Sequence, residues 1–375
     1  MTATFCTYPW DLLDDPRATG RVREAGADGV AIAAAYHSVR AATPLHPRRA
    51  VVDAGAAYYL PLDDEVWSGS TLRPRTDAPW VGPGAFLRAA RAAREAGLRV
   101  EAWLVLTHST PVGNRARELT VQNVLGERYP YALCPAAPDV RDYARRLVAG
   151  VVRSFDVDGL MLEALGPLGV SHLGRHEKTQ GADWTPVAEN LLSICFCDAC
   201  QGLLADHDVD VPRLRLEVRA GLAAEQAGHH GATEDHVSRS VAVLAARAEA
   251  RSGLASAVKD ACDQVPRVVV HAQPDLWATG PFTALDDAVT AFDGVVLPGH
   301  LVTDDLGTVG AVRDRLPGRR VGGYLSAMPP ATPDSIRRAW PAGLARVDDA
   351  YVYHLGLLSE ARLEAAASAL LTRRD

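Results

Sequence analysis

Hydrophobic and polar positions alternate in blocks along the whole chain. Short runs of four to eight apolar, β-branched or alanine-rich residues are each followed by a stretch with helical spacing. The runs predict strands over Thr4 to Tyr8, Gly29 to Tyr36, Arg99 to Leu106, Gly159 to Glu163, Arg267 to Ala272, Gly294 to Leu297, Arg320 to Leu325 and Ala350 to His354. Helices are predicted over Pro16 to Gly26, Gly84 to Gly97, Asp139 to Phe155 and Ser359 to Leu371. Eight short strands separated by helices call for parallel pairing through right-handed crossovers. The architecture expected is a (β/α)8 TIM barrel forming a single domain over 1–375. An open doubly wound sheet would place a glycine-rich phosphate loop after the first strand, where Tyr8-Pro9-Trp10-Asp11 stands instead.

Two segments exceed the ordinary length of a barrel connection. The second strand is followed by a long loop from Ser38 to about Gly82, with Pro44, Pro47, Pro61, Pro74 and Pro79 and a short strand-like run Ala57-Tyr58-Tyr59-Leu60. The fourth is followed by a helical insertion running from about Val187 to Val265 and broken near 228–231.

A formal net charge of −7, with arginines scattered rather than striped, argues against nucleic acid as a partner. No apolar run approaches the roughly 20 residues of a membrane helix, so no membrane partner is expected. Met1 to Cys6 lacks the pattern of a secretion signal, which makes the cytoplasm the expected location. The Ala/Arg-rich helices suit solvent and oligomer contacts alike, leaving a homo-oligomer open.

In such a barrel, function gathers at the C-terminal ends of the strands. The residues predicted there are Tyr8, Trp10, Tyr36, His37, His108, Glu163, His271, Gln273, His300, Tyr324 and His354, with Trp277 as a face for sugar stacking. So many polar, aromatic and titratable groups predict a pocket for a polar small molecule. Glu163 ends an otherwise apolar strand. A carboxyl there must be paired, hydrogen-bonded or protonated, and burial gives it the raised pKa of a general acid. The loop Ser171 to Lys178 adds His172, Arg175, His176, Glu177 and Lys178, which suit hydroxyl or carboxylate recognition or a metal. Glu177 and Asp275 compete for the role of second carboxyl, with Asp275 equally readable as a turn residue after Pro274. Glycosidic cleavage usually uses two carboxyls.

Cys195-Phe196-Cys197-Asp198-Ala199-Cys200 is the most specific local motif. Three thiolates at this spacing, with Cys134 as the fourth, are the ligand set of a closed structural zinc site. The alternative is a group of reduced thiols packed under a loop. Cys6 and Cys262 read as core residues.

The cysteine block with Cys134 upstream resembles the zinc-binding set of glycoside hydrolase family 42 β-galactosidases. The wider pattern over roughly 1–205 looks more like a set of uncharacterised bacterial glycosidase-like (β/α)8 barrel proteins. It comprises Val30 to His37, Leu133 to Tyr143, Gly159 to Gly166, His176-Glu177-Lys178 and Cys195 to Cys200 in that order. The resemblance implies a barrel, a carbohydrate or glycoside as substrate, a structural zinc, and Glu163 as the acid/base position. The sequence departs from family 42 in having Leu162 where Asn usually precedes the Glu, and Tyr324-Leu325-Ser326 where a nucleophilic Glu ends the seventh strand. A glycoside hydrolase is therefore the leading expectation. The alternatives are a non-hydrolytic sugar lyase or isomerase, including a metal-dependent one built on His37, His108, His172 and His176, and a carbohydrate-binding barrel without catalysis.

Overall fold

Eight parallel strands close into a barrel: β1 (Thr2–Thr7), β2 (Gly29–Tyr36), β3 (Arg99–Val105), β4 (Gly159–Glu163), β5 (Val268–Gln273), β6 (Gly294–Pro298), β7 (Arg320–Ser326) and β8 (Asp349–Tyr353). Each pairs with the next, and β8 returns to β1 through Thr2 opposite Asp349 to Phe5 opposite Val352. The computed structural model describes residues 1–172, 177–229, 240–305 and 307–372. Every predicted strand is present, with ends shifted by no more than two residues. β2 is buried along its whole length, as a strand covered on both faces must be.

The surrounding helices are α1 (Ala18–Glu24), α2 (Ala85–Glu95), α3 (Pro138–Ser154), α4 (Pro186–Leu192), α5 (Asp198–Asp206), α6 (Val211–Gln226), α7 (Val241–Lys259), α8 (Thr308–Arg315), α9 (Pro333–Leu344) and α10 (Glu360–Leu371). In α2 the buried face is Ala85, Phe86, Ala89, Ala90 and Ala93, and the arginines lie opposite, so helical spacing turns directly into docking against the barrel. Between β5 and β6 the connection is a 3-10 turn, Asp287–Ala291, in place of an α-helix. No helix among the described residues is long and apolar enough to cross a membrane.

Both long excursions have structure of their own. After β2, Val39–Ala42 and Val51–Ala54 form a hairpin, and Ala57–Tyr58 adds antiparallel to the end of β2. After β3 comes a second hairpin, Thr120–Gln122 with Arg128–Leu133. The insertion after β4 is α4, α5 and α6, which build a satellite core around Ile194, Phe196, Leu214 and Val218. The predicted break at 228–231 lies partly outside the described residues.

The N-terminal end of the barrel is closed by charge. Arg267, just before β5, binds the Glu101 carboxylate and donates to Asp349 Oδ1 at 2.9 Å. Arg320 donates to both oxygens of Asp349, at 2.7 and 2.8 Å, and the Tyr351 hydroxyl donates to Glu101 Oε2 at 2.9 Å. Burial works against the charge of Asp349, but Arg320 and Arg267 hold its pKa below the usual carboxylate range.

Candidate active site

At the opposite end, β4 delivers Glu163 into a ring of aromatic side chains. The carboxyl is buried, and Oε2 accepts a 2.8 Å hydrogen bond from Trp103 Nε1 on the neighbouring strand β3. His271 of β5 stands beside it, with Nδ1 3.8 Å away. No arginine or lysine among the described residues pairs with it. Burial therefore raises the pKa of Glu163 to about 7, against the smaller lowering effect of the Trp103 bond. Burial also pushes His271 down to about 3, so its ring is neutral, and neither nitrogen has a hydrogen-bond partner among the described residues.

The chain directly after Glu163 is strained. Ala164 has φ of 56°, a left-handed conformation that costs an L-residue about 1–2 kcal/mol. Neighbours fix it there: Ala164 N donates to Pro281 O at 2.9 Å, and the Thr107 hydroxyl lies 2.9 and 2.8 Å from the carbonyls of Ala164 and Gly166. A Cβ on Gly166 would sit 2.5 Å from the Thr283 hydroxyl, so the close approach needs glycine. Strain imposed beside a buried acid is what a functional site displays.

Tyr36 sets its edge against Trp103 at 4.7 Å between ring centroids. His271 stacks on Phe282 at 4.7 Å and meets the edge of Tyr324 at 4.9 Å, and Tyr324 leans on Tyr353 at 5.3 Å. Phe282, Tyr324 and Tyr353 are partly exposed and stand around the strand ends. Tyr8, Trp10 and His354, expected to touch substrate, are instead fully buried and form a floor beneath these rings. Tyr8 stacks on Trp10 at 4.4 Å and lies 4.1 Å from the His354 ring. Asp11 lies in the same floor, 3.6 Å from His354 Nδ1. Burial raises the Asp11 carboxyl to about 8, although the Tyr8 amide, Arg21 and Arg49 act the other way.

Three histidines follow the ends of β2, β3 and β4. His37 stacks on His108 at 4.5 Å, and a 2.9 Å hydrogen bond joins His108 Nδ1 and His172 Nε2. Burial lowers all three, His172 to about 4; His37 and His172 lower His108 further, and His37 lowers His172. The rings stack and bond to each other without converging on a common point. Among the described residues only the cysteine group offers a convergent set of metal ligands. His176 lies outside the described residues. Glu177 is near enough to Tyr131 to bear on its ionisation, and Tyr131 lies 5.9 Å from His172.

Several expected residues stand elsewhere. Asp275 is exposed and accepts from Trp277 N at 2.9 Å, a turn role after Pro274. Trp277 offers no open stacking face: it is 8% exposed, packed in the satellite core, with the Arg247 guanidinium 4.7 Å from its ring. His300 is exposed in the short helix Gly299–Thr303 after β6, and Lys178 is exposed on its loop. Gln273 ends β5, and its carbonyl accepts from Leu285 N.

Cys134, Cys195, Cys197 and Cys200 meet as expected, with all four sulfurs within 4.8 Å of one another. Cys134 lies 3.4 Å from Cys200, 3.5 Å from Cys197 and 3.8 Å from Cys195. A tetrahedral ion with Zn–S bonds of about 2.3 Å requires sulfurs roughly 3.8 Å apart, so the group fits such an ion. The amides of Gln122 and Cys197 point at Cys195 Sγ from 3.4 and 3.5 Å, the outer-shell support typical of metal thiolates.

Fold and site together define a (β/α)8 barrel with a buried acid at the end of β4 and a four-cysteine group able to hold a metal ion. Solved structures of similar shape are glycoside hydrolases. The α-L-fucosidase isoenzyme 2 from Paenibacillus thiaminolyticus has a TM-score of 0.60 at 12% identity. The match takes in the whole of this chain and 49% of that one, so this protein spans about half its length. The catalytic domain of β-amylase from Paenibacillus polymyxa gives 0.61 at 11% identity, over all of this chain and 98% of that one. The PgaB (BpsB) glycoside hydrolase domain from Bordetella bronchiseptica gives 0.55 at 15%, over 99% of each. At these identities the likeness is one of fold. Neither a protein-family model nor a curated protein sequence matches the chain.

Proposed function

We propose that the protein is a carbohydrate-active enzyme of glycoside hydrolase type, with Glu163 as its general acid. The observation that carries this reading is a buried carboxyl at the end of β4, without a cationic partner among the described residues, held near pKa 7. Such a group is protonated often enough at neutrality to give its proton to a glycosidic oxygen. The C–O bond to the leaving group breaks as a water oxygen bonds to the anomeric carbon, and a base takes the water's proton. Glu177, on the loop beside Tyr131, is the candidate for that base. Tyr324, Tyr353 and Phe282 supply sugar-facing surface, and His37, His108 and His172 are neutral acceptors and donors for hydroxyls. Cys134, Cys195, Cys197 and Cys200 hold a zinc ion whose shell is closed, so its contribution is to structure. The reading takes the protein to work in the cytoplasm, where these thiols stay reduced.

One observation favours a second reading. No other carboxyl among the described residues bears on the ionisation of Glu163. A sugar isomerase or lyase needing one proton-transfer group, or a binding barrel, would be built in this way. Turnover of a panel of aryl glycosides and reducing oligosaccharides by the wild type and Glu163→Gln separates the readings. Hydrolysis lost in the variant, with binding retained, supports the first. Wild-type hydrolysis by Glu163→Gln, or binding without turnover by either protein, overturns it.

A further inference from the structure

The excursions after β3 and β4 are both βα loops, so both stand on the face of the barrel that carries Glu163. Between the hairpin Thr120–Leu133 and helices α4 and α6 they enclose a cavity of about 590 Å³. That is the size of a small-molecule site, typically about 300–1,000 Å³. Two partly exposed aromatic residues, Tyr129 and Trp184, line it. The carboxylates of Glu127, Asp183 and Glu225 and the guanidinium of Arg219 share the wall. Rings that pack against sugar C–H faces, beside carboxylates that accept from hydroxyls, make a carbohydrate subsite. Among the described lining residues, carboxylates outnumber the one arginine, which disfavours an acidic sugar.

The cavity is joined to the acid by a run of rings. Tyr129 lies parallel to Tyr131, 5.8 Å apart with 4° between planes, and Tyr131 is 6.1 Å from His108. His108 stacks on His37, His37 stacks on Tyr36 at 4.2 Å, and Tyr36 packs against Trp103, the donor to Glu163. The cysteine group ties the two walls together, since Cys134 directly follows the hairpin, Cys195 and Cys197 connect α4 to α5, and Cys200 lies in α5.

We infer that the ligand is a neutral oligosaccharide, with one unit at Glu163 and its distal units seated between Tyr129 and Trp184. The inference rests on the reading of Glu163 as a sugar site. The test is calorimetric titration of full-length Glu163→Gln protein with cello-, xylo- and malto-series sugars from mono- to hexasaccharide, alongside their uronate counterparts. At least one neutral series should gain about tenfold or more in affinity with length, each tenfold being ~1.4 kcal/mol. Adding Trp184→Ala should remove that gain while leaving the shortest sugar's affinity unchanged. Trp184→Phe should restore most of it, and the uronates should bind more weakly than their neutral partners. A flat length profile, an unchanged profile in Trp184→Ala, or no binding by any series overturns the inference. Glycoside turnover by Glu163→Gln in the otherwise natural chain is scored separately. A length gain lost with Trp184, combined with wild-type turnover, removes the hydrolase reading and leaves the subsite standing.

Discussion

Glu101 and Glu163 are both buried glutamates of the barrel wall, 1% and 6% exposed, and they sit at opposite ends of it. Glu101, near the start of β3, is met by Arg267 and by the Tyr351 hydroxyl, and Asp349 and Arg320 complete the network. Glu163, at the end of β4, has an indole N–H and a neutral imidazole for company. The same side chain at similar burial is thus paired with a guanidinium in one place and an acid near neutrality in the other. The difference teaches that the partners decide the role and burial alone does not. Compensated charge closes the N-terminal end of the barrel, and a carboxyl with no cationic partner among the described residues stands at the other.

The comparison can be broken by exchanging what each glutamate has for what it lacks. The largest effect should be on turnover: Glu163→Gln should cut the rate by about 10²–10⁴-fold, the usual worth of a general acid, with the fold intact by circular dichroism. Next, Glu101→Ala should cost about 3 kcal/mol in denaturant unfolding, because the Tyr351 hydroxyl loses its acceptor and Arg267 keeps only Asp349.

A third effect is visible in stability against pH. The Glu163 carboxyl ionises at about 7 in the fold and near 4.5 unfolded, so the native state keeps its proton longer. Its contribution to stability is full below pH 4.5, declines as the pH rises, and is gone above about 7. The total loss is about 3 kcal/mol. Glu163→Gln should lack this decline, so its stability relative to wild type should improve between pH 5 and 8. The smallest effect concerns Ala164, whose φ of 56° is relieved by glycine. Ala164→Gly should gain roughly 0.5–1 kcal/mol in stability while lowering turnover, since the strained turn sets the direction of Glu163.

The barrel was legible because each strand is a short apolar block, and each helix on its surface carries a polar face. The strand ends were legible for the same reason, and the cysteine spacing carried its own geometry. Trp103 and Glu101 were harder to place. They sit two apart on β3 and so share a side of the strand, but alternation does not say which polar group across the barrel each will meet. Asp11 had a local signal in Tyr8-Pro9-Trp10-Asp11, where its carboxyl accepts the Tyr8 amide at 2.7 Å within the short helix Pro9–Leu12. Its approach to His354 joins the two ends of the sequence and has no such signal. Trp277 and Asp275 follow a strand end in the sequence, yet the insertion after β4 draws Trp277 into its own core. Chain order marks a residue as near the mouth of the barrel, whereas the long excursions decide what stays open to it.

The most direct test is the titration of the Glu163 carboxyl itself, read as the infrared difference between wild type and Glu163→Gln across pH 4 to 9. The account predicts a protonated carboxyl band that persists at pH 6 and disappears with a midpoint at about 7. A carboxylate already fully ionised at pH 5 would contradict it, and would place Glu163 with Glu101 among the partnered charges of the barrel.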